Sequence, residues 1–109
     1  MTIQDIKDEL QEVKYYYGHK AMFDRALSTV SKNKVLEKVS RYNNLVQDAP
    51  AQLFGLYVAI YTENNTQLAV ALDWGLSEGY IKNLNRKLCG YFLEKISKIY
   101  NLIFCILLC

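Results

Sequence analysis

The sequence predicts an all-α fold, a compact domain of five to six helices that contains a C-terminal helix-turn-helix. Three observations predict it. Apolar residues recur at three- and four-residue steps along nearly the whole chain, no segment offers a partner for an isolated strand, and two short helical patterns flank a glycine within residues 66–88. With 109 residues, 51% of them hydrophobic, the chain is long enough to bury a core as one domain spanning 1–109.

Residues 1–63 are predicted to form supporting helices. Thr2 and Asp5 have the spacing of a capping box, and the helix that they start should end near Gly18. The apolar stripe of this helix is Ile3, Ile6, Leu10, Val13 and Tyr17. Three consecutive tyrosines cannot share one helical face, so we assign Tyr17 to the core and leave Tyr15 as a contact residue.

Three more helical segments follow before the next turn. The second segment carries on one side Ala21, Met22, Ala26, Leu27 and Val30. A third helix starts at Asn33, and its buried stripe is Val35, Leu36, Val39, Tyr42, Leu45 and Val46. Pro50 then serves as a first-turn residue. The apolar run over 53–61 fits either a central helix or a short strand, and we favour the helix because no partner strand is visible.

The spacing over residues 66–88 has physical reasons. After a turn at 63–65, Thr66 can cap the first helix, and Ser77 can cap the second. The small Ala71 allows close helix approach, and Gly75 permits a positive φ at the turn. The inward offsets are occupied by Val70, Trp74, Leu76, Ile81 and Leu84.

The outer face of the second motif helix carries side chains able to donate to phosphates and base edges. They are Glu78, Lys82, Asn83, Arg86 and Lys87, with Gly79 among them. On this interpretation Lys82, Asn83 and Arg86 read the groove, and Ser77 and Lys87 hold phosphates. Glu78 either accepts from a cytosine amino group or stabilises the helix N-terminus. A helical hairpin that binds nothing gives a similar apolar pattern.

The motif segment resembles the C-terminal helix-turn-helix of small phage transcriptional regulators related to region 4 of sigma factors. The stretches that carry the resemblance are 66–71 (TQLAVA), 75–77 (GLS) and 80–87 (YIKNLNRK). The resemblance covers roughly residues 50–96. It implies that the second motif helix enters the major groove of double-stranded DNA, with Ser77, Glu78, Lys82, Asn83 and Arg86 facing the DNA. It also implies that RNA polymerase or another host protein is a partner. The alternative is a small phage-encoded inhibitor that acts by protein contact. Its target would be polymerase or a defence nuclease, the second being the action of an anti-CRISPR.

The segment 89–109 is predicted to be an apolar C-terminal helix, which either continues the second motif helix or restarts after Gly90. It is uncharged over 99–109. Its apolar run is too short for a membrane anchor, which needs about 20 residues. One face can pack on the first helix through Ile99, Ile103, Ile106 and Leu107. A homodimer interface is then expected at Leu102, Phe104, Cys105 and Leu108. The alternative is complete burial within one chain.

Positive charge is unevenly distributed along the chain. The net charge is +2, and residues 66–109 hold five Lys or Arg against three Asp or Glu, so the positive excess lies in the motif half.

Cys89, Cys105 and Cys109 form no CxxC pair and have no histidine nearby, so we expect neither metal nor cofactor. No apolar leader is present, which favours a reducing, cytoplasmic setting. His19 lacks a nucleophile partner, so no enzyme is expected.

Overall fold

The computed structural model describes residues 1–27 and 34–108, except the side chains of 26, 27, 104–106 and 108. Within those residues the chain forms helices and no strand, so the all-α prediction is confirmed. The six helices are α1 (Ile3–Gly18), α2 (Lys20–Leu27), α3 (Lys34–Leu45), α4 (Ala51–Tyr57), α5 (Gln67–Trp74) and α6 (Glu78–Leu108). A 3-10 turn, Val46–Asp48, follows α3, and a π-helical segment, Val58–Thr62, extends α4. The 53–61 run is therefore helical, as favoured.

Helix α1 begins and ends where the sequence predicts. The Asp5 backbone amide donates to Thr2 Oγ1 over 3.2 Å, and the Thr2 amide donates to Asp5 Oδ2 over 2.7 Å. This capping box satisfies amides that the first helical turn leaves without a carbonyl. It also holds the pKa of the Asp5 carboxyl below its ordinary value, because the carboxylate accepts the Thr2 hydrogen bond.

The tyrosine run packs differently from the prediction. Tyr16 is the buried member, whereas Tyr17 is only half-buried and accepts a hydrogen bond from Asn43 Nδ2. Tyr15 is exposed, as expected. The cause is α2: Phe23 packs against the Tyr16 ring at 5.5 Å and so covers it. On α2, Phe23 thus takes the inward position, and Met22, predicted to lie on the apolar side, is exposed.

One apolar core joins the helices. Helix α1 packs against α3, the π-helical segment and α6. The buried apolar residues are Ile6, Leu10, Val13, Tyr16, Val39, Tyr42, Val46, Leu56, Tyr57, Ile60, Tyr61, Val70, Ala71, Ile81, Leu84, Leu88, Cys89, Phe92 and Ile96. The predicted stripes of α1 and α3 therefore face this core, with Tyr16 in place of Tyr17. Asn33 and Val30 lie outside the described residues.

Buried tyrosines in this core keep their hydroxyls hydrogen-bonded. Tyr42 donates to Glu9 Oε1 over 2.5 Å, and Tyr57 donates to Asn43 Oδ1 over 2.6 Å. Burial raises the pKa of both phenols. These tyrosines are therefore amphipathic core residues whose rings pack inward while their polar ends find partners.

Helix α6 is a single helix of 31 residues, about 46 Å long. Gly90 does not interrupt it. Beyond Ile96 its described side chains are all exposed, including Ile99, Ile103 and Leu107, which the sequence analysis packed on α1. That expectation is wrong because α6 extends past the rest of the fold. In the described part of the chain, no helix is both long and apolar enough to cross a membrane.

Candidate functional site

The connection between α5 and α6 is a tight turn closed by two backbone hydrogen bonds. Gly75 adopts a left-handed conformation with φ of 68°, where a residue with a Cβ would be strained. The Leu76 amide donates to Ala71 O over 2.9 Å, and the Gly75 amide donates to Leu72 O over 3.4 Å, which closes α5 with a Schellman motif. The requirement for a positive φ at Gly75, predicted from sequence, is confirmed.

Both helices beside this turn have the predicted caps. Thr66 Oγ1 accepts from the Ala69 amide over 3.0 Å, and Ser77 Oγ accepts from the Tyr80 amide over 3.1 Å. The Ser77 hydroxyl can still donate, because a hydroxyl that accepts one bond keeps its own hydrogen. These caps fix where α6 starts, and therefore which of its residues point outward.

The α6 side chains divide into a buried and an exposed side. Ile81 and Leu84 are buried, as are Val70 and Ala71 of α5, and Trp74 is partly buried. Leu76, expected to point inward, is 38% exposed, because it lies in the turn beyond the end of α5. The exposed side, hereafter the outer face, comprises Glu78, Gly79, Lys82, Asn83, Arg86 and Lys87. The six residues that the sequence predicts for the outer face of the second motif helix thus form one continuous surface.

Charge on the outer face is mostly positive and mostly uncompensated. Lys82 Nζ lies 3.9 Å from Glu78 Oε1, a loose pair between exposed side chains one helical turn apart. Within the described residues, Arg86 and Lys87 form no ion pair. Glu78 lies in the first turn of α6, where a carboxylate is stabilised by the helix dipole.

A depression beside the outer face draws residues from three helices. It is lined by Lys7 of α1, Gln67 of α5, and Lys82, Asn85 and Arg86 of α6, and encloses about 240 Å³. Sequence analysis missed Lys7, because only the tertiary packing of α1 against α6 brings it next to Arg86. A local pattern on α1 holds no signal for that proximity.

Asn85 is the second residue that sequence analysis missed. It is 9% exposed, and its Oδ1 accepts a hydrogen bond of 2.6 Å from the Tyr61 hydroxyl. Burial raises the pKa of Tyr61, which keeps the phenol as a donor. The spacing contains a usable signal: Asn85 stands four residues after Ile81 and four before Cys89, both buried. A polar residue at an inward helical position requires a partner.

A shallow depression on the other flank of Arg86 is lined by Tyr80, Asn83 and Lys87 as well as Arg86 itself. The Tyr80 ring is half-exposed, and its hydroxyl accepts from Gln52 Nε2 over 3.2 Å. Arg86 therefore lies between a cationic depression and one with an aromatic wall. This arrangement can contact a phosphate on one side and a base or sugar on the other.

Helix α5 presents a chemically different surface. Leu68 and Leu72, one turn apart, are 51% and 75% exposed. A groove of about 630 Å³ between α4 and α5 is lined by apolar residues, including Trp74, and by the carboxylates of Glu63 and Asp73. This side of the chain is apolar and acidic, so it does not suit a polyanion.

The remaining candidates from the sequence are the cysteines, His19 and the apolar end of α6. Among the described residues, no group of three or more His, Cys, Asp or Glu side chains is placed to hold a metal ion. Cys89 is buried, and burial raises the pKa of its thiol. His19 stacks on the Tyr15 ring at 4.1 Å, and its Nδ1 lies 3.1 Å from Tyr15 O. The side chains of Phe104, Cys105 and Leu108 lie outside those that the structure describes.

Comparisons of this chain with protein-family models, with curated proteins and with solved structures found no match.

Proposed function

We propose that this chain is a DNA-binding transcriptional regulator of phage or mobile-element type, which reads duplex DNA with the N-terminal part of α6 as the second helix of a helix-turn-helix. The observation that carries the proposal is the outer face: Lys82, Asn83, Arg86 and Lys87 are exposed together, directly after a capped turn. Arginine, lysine and asparagine are the side chains that bind phosphates and read guanine and adenine edges.

The rest of the fold is consistent with this use of α6. Buried Ile81, Leu84 and Leu88 hold the helix against the core, so its polar side stays exposed. The capped turn at Gly75 fixes the two helices without a flexible linker. A rigid support of this kind keeps the binding residues in register, which lowers the entropic cost of docking.

A salt titration tests the proposal. We expect the protein to bind a fluorescein-labelled duplex of mixed sequence at low salt, with log K falling linearly as log [KCl] rises, because bound Lys and Arg release counterions from phosphates. Fluorescence anisotropy measures the affinity, and circular dichroism checks that the protein is folded. Folded protein that binds no duplex at low salt would exclude the proposed function.

We also propose that α6 beyond Ile96 pairs two copies of this chain, which would present two outer faces to a twofold DNA site. Ile99, Leu102, Ile103 and Leu107 are exposed on this part of α6. No side chain of residues 99–109 is charged, so two copies can pack their side chains together here without opposing like charges. The expected interface includes Leu102 and, from the sequence, Phe104, Cys105 and Leu108.

A second candidate function is favoured by α5. Exposed Leu68 and Leu72, beside the groove lined by Trp74, form a surface typical of protein contact. If this chain is a regulator, RNA polymerase or another host protein would dock there while α6 binds DNA. If this chain is a phage inhibitor, the host protein that docks there would be its target. Leu72→Glu should then abolish capture of the partner without changing duplex affinity, whereas Arg86→Ala should do the reverse.

A further inference from the structure

We propose that the depression lined by Lys7, Gln67, Lys82, Asn85 and Arg86 is a phosphate-binding pocket that takes a backbone phosphate of the duplex docked on the outer face. The assignment of this phosphate to DNA rests on the proposed function, since inorganic phosphate offers the same chemistry. The pocket itself stands on independent geometry, namely the meeting of three helices at one point.

The lining residues have the composition of an oxyanion site. Three of the five, Lys7, Lys82 and Arg86, are cationic, and the other two carry side-chain amides; none is acidic. Guanidinium and ammonium groups that converge from different helices make charge-assisted hydrogen bonds to phosphate oxygens. Among the described ion pairs, the one that involves a lining residue joins Lys82 Nζ to Glu78 Oε1 at 3.9 Å, a loose pair that a phosphate can displace.

Asn85 makes the pocket a built site and not merely a positive surface. The Tyr61 hydroxyl occupies Asn85 Oδ1, which leaves the amide nitrogen as the group available to a ligand. That side chain is nine-tenths buried and lines the pocket, so its orientation is set by the core. A fixed N–H donor in the lining of a cationic depression selects an acceptor, which a phosphate oxygen supplies.

Lys7 is the residue that separates this proposal from the outer face alone. It belongs to α1 and, with Asn85 and Arg86 of α6, lines the same depression. Burial raises the pKa of the Cys89 thiol on α6, and the nearby Lys7 charge offsets part of that rise. Lys7 is exposed, so replacing it removes a charge without opening the core. Lys20 is a matched control, an exposed lysine that follows the opposite end of α1.

The first arm of the experiment measures duplex binding by Lys7→Gln, Lys20→Gln and the unaltered protein over a KCl series, with thermal unfolding as the check on folding. Loss of one phosphate contact should weaken binding several-fold at low salt and reduce the slope of log K against log [KCl] by about 0.9. Lys20→Gln should match the unaltered protein. If Lys7→Gln retains full affinity and slope while the unaltered protein binds duplex, the pocket proposal is overturned.

The second arm replaces the duplex with inorganic phosphate, titrated against chloride at constant ionic strength, and follows the side-chain amide NMR signals of Asn85 and Gln67. Saturable shifts that disappear in Lys7→Gln support the pocket. If these shifts occur but no duplex binds, the pocket stands with free phosphate as its ligand and the proposed DNA function fails. If neither amide shifts and no duplex binds, both proposals fail.

Discussion

Tyr61 and Asn85 form a hydrogen bond of 2.6 Å inside the fold, between the π-helical segment and α6. Asn85 immediately precedes Arg86 in the chain, so the bond fixes a buried residue next to the outer face. An unpaired amide oxygen in this interior would lose hydration without compensation, so the two residues depend on each other. The π-helical segment matters here because it sets the position from which Tyr61 reaches α6.

Tyr61→Phe should lower the free energy of unfolding by about 1–3 kcal/mol, because it leaves Asn85 Oδ1 buried without its donor. Urea denaturation followed by circular dichroism measures this. The matched control is Tyr15→Phe, which removes a hydroxyl from an exposed ring and should change stability by less than about 0.5 kcal/mol. Equal effects of the two substitutions would show that the buried bond contributes nothing.

Gly75→Ala and Gly90→Ala should shift stability in opposite directions. Gly75 has a φ of 68°, so alanine there costs about 1–2 kcal/mol of backbone strain. Gly90 lies within α6, and an added Cβ meets no atom within 4 Å, so alanine should stabilise by about 0.5–1 kcal/mol. Thermal unfolding compares the pair. A stabilised Gly75→Ala would contradict the left-handed turn.

Arg86→Ala should weaken binding to a duplex selected from a random library by about 1–3 kcal/mol and relax preference at one base position, if Arg86 contacts a base edge. Lys20→Ala, which alters an exposed cation at the start of α2, far along the chain from the outer face, is the control and should leave affinity unchanged. Anisotropy titrations measure both. A uniform loss over all sequences would instead assign Arg86 to a phosphate.

Stability should fall in alkaline solution because buried tyrosines resist ionisation. Burial raises the pKa values of Tyr42, Tyr57 and Tyr61 above the ordinary 10.0, so the unfolded chain loses their protons first. Their contribution is therefore complete below pH 10 and is lost as the pH rises beyond it. Denaturation between pH 7 and 11 should show this, with a shallower fall for Tyr61→Phe. A pH-independent free energy would refute the assignment.

Leu102→Glu should convert the proposed dimer to a monomer, because it places a charge in each copy of the apolar end of α6. Sedimentation at micromolar concentration measures the mass. The side chain is 63% exposed in the single chain, so folding should be unaffected, which circular dichroism checks. Unaltered protein that sediments as a monomer would remove the dimer from the proposal.

Local features of this fold could be predicted from sequence because they depend on neighbouring residues. The caps at Thr2, Thr66 and Ser77 and the positive φ at Gly75 are all satisfied within a few positions along the chain. The outer face followed from helical spacing once its start was fixed by Ser77. These features require no knowledge of how distant segments meet.

The features that sequence analysis missed arise from tertiary packing. Tyr16 is buried in place of Tyr17 because α2 brings Phe23 against it. Lys7 joins the cationic depression because α1 packs on α6, and Asn85 is satisfied by a tyrosine 24 residues earlier. Apolar composition suggested that 99–107 would pack on α1, but whether a neighbour covers a face depends on how far the helix extends.

The most direct test of the central claim is a map of the DNA-contacting surface. A mixed-sequence duplex is titrated at low salt into isotopically labelled protein, and backbone amide shifts are followed by NMR. The account predicts that the largest shifts fall on residues 77–87, around Lys7 and at Gln67, whereas Leu72 near the other end of α5 stays unchanged. Shifts centred on Leu72 and the groove between α4 and α5, or none at all in folded protein, would contradict it.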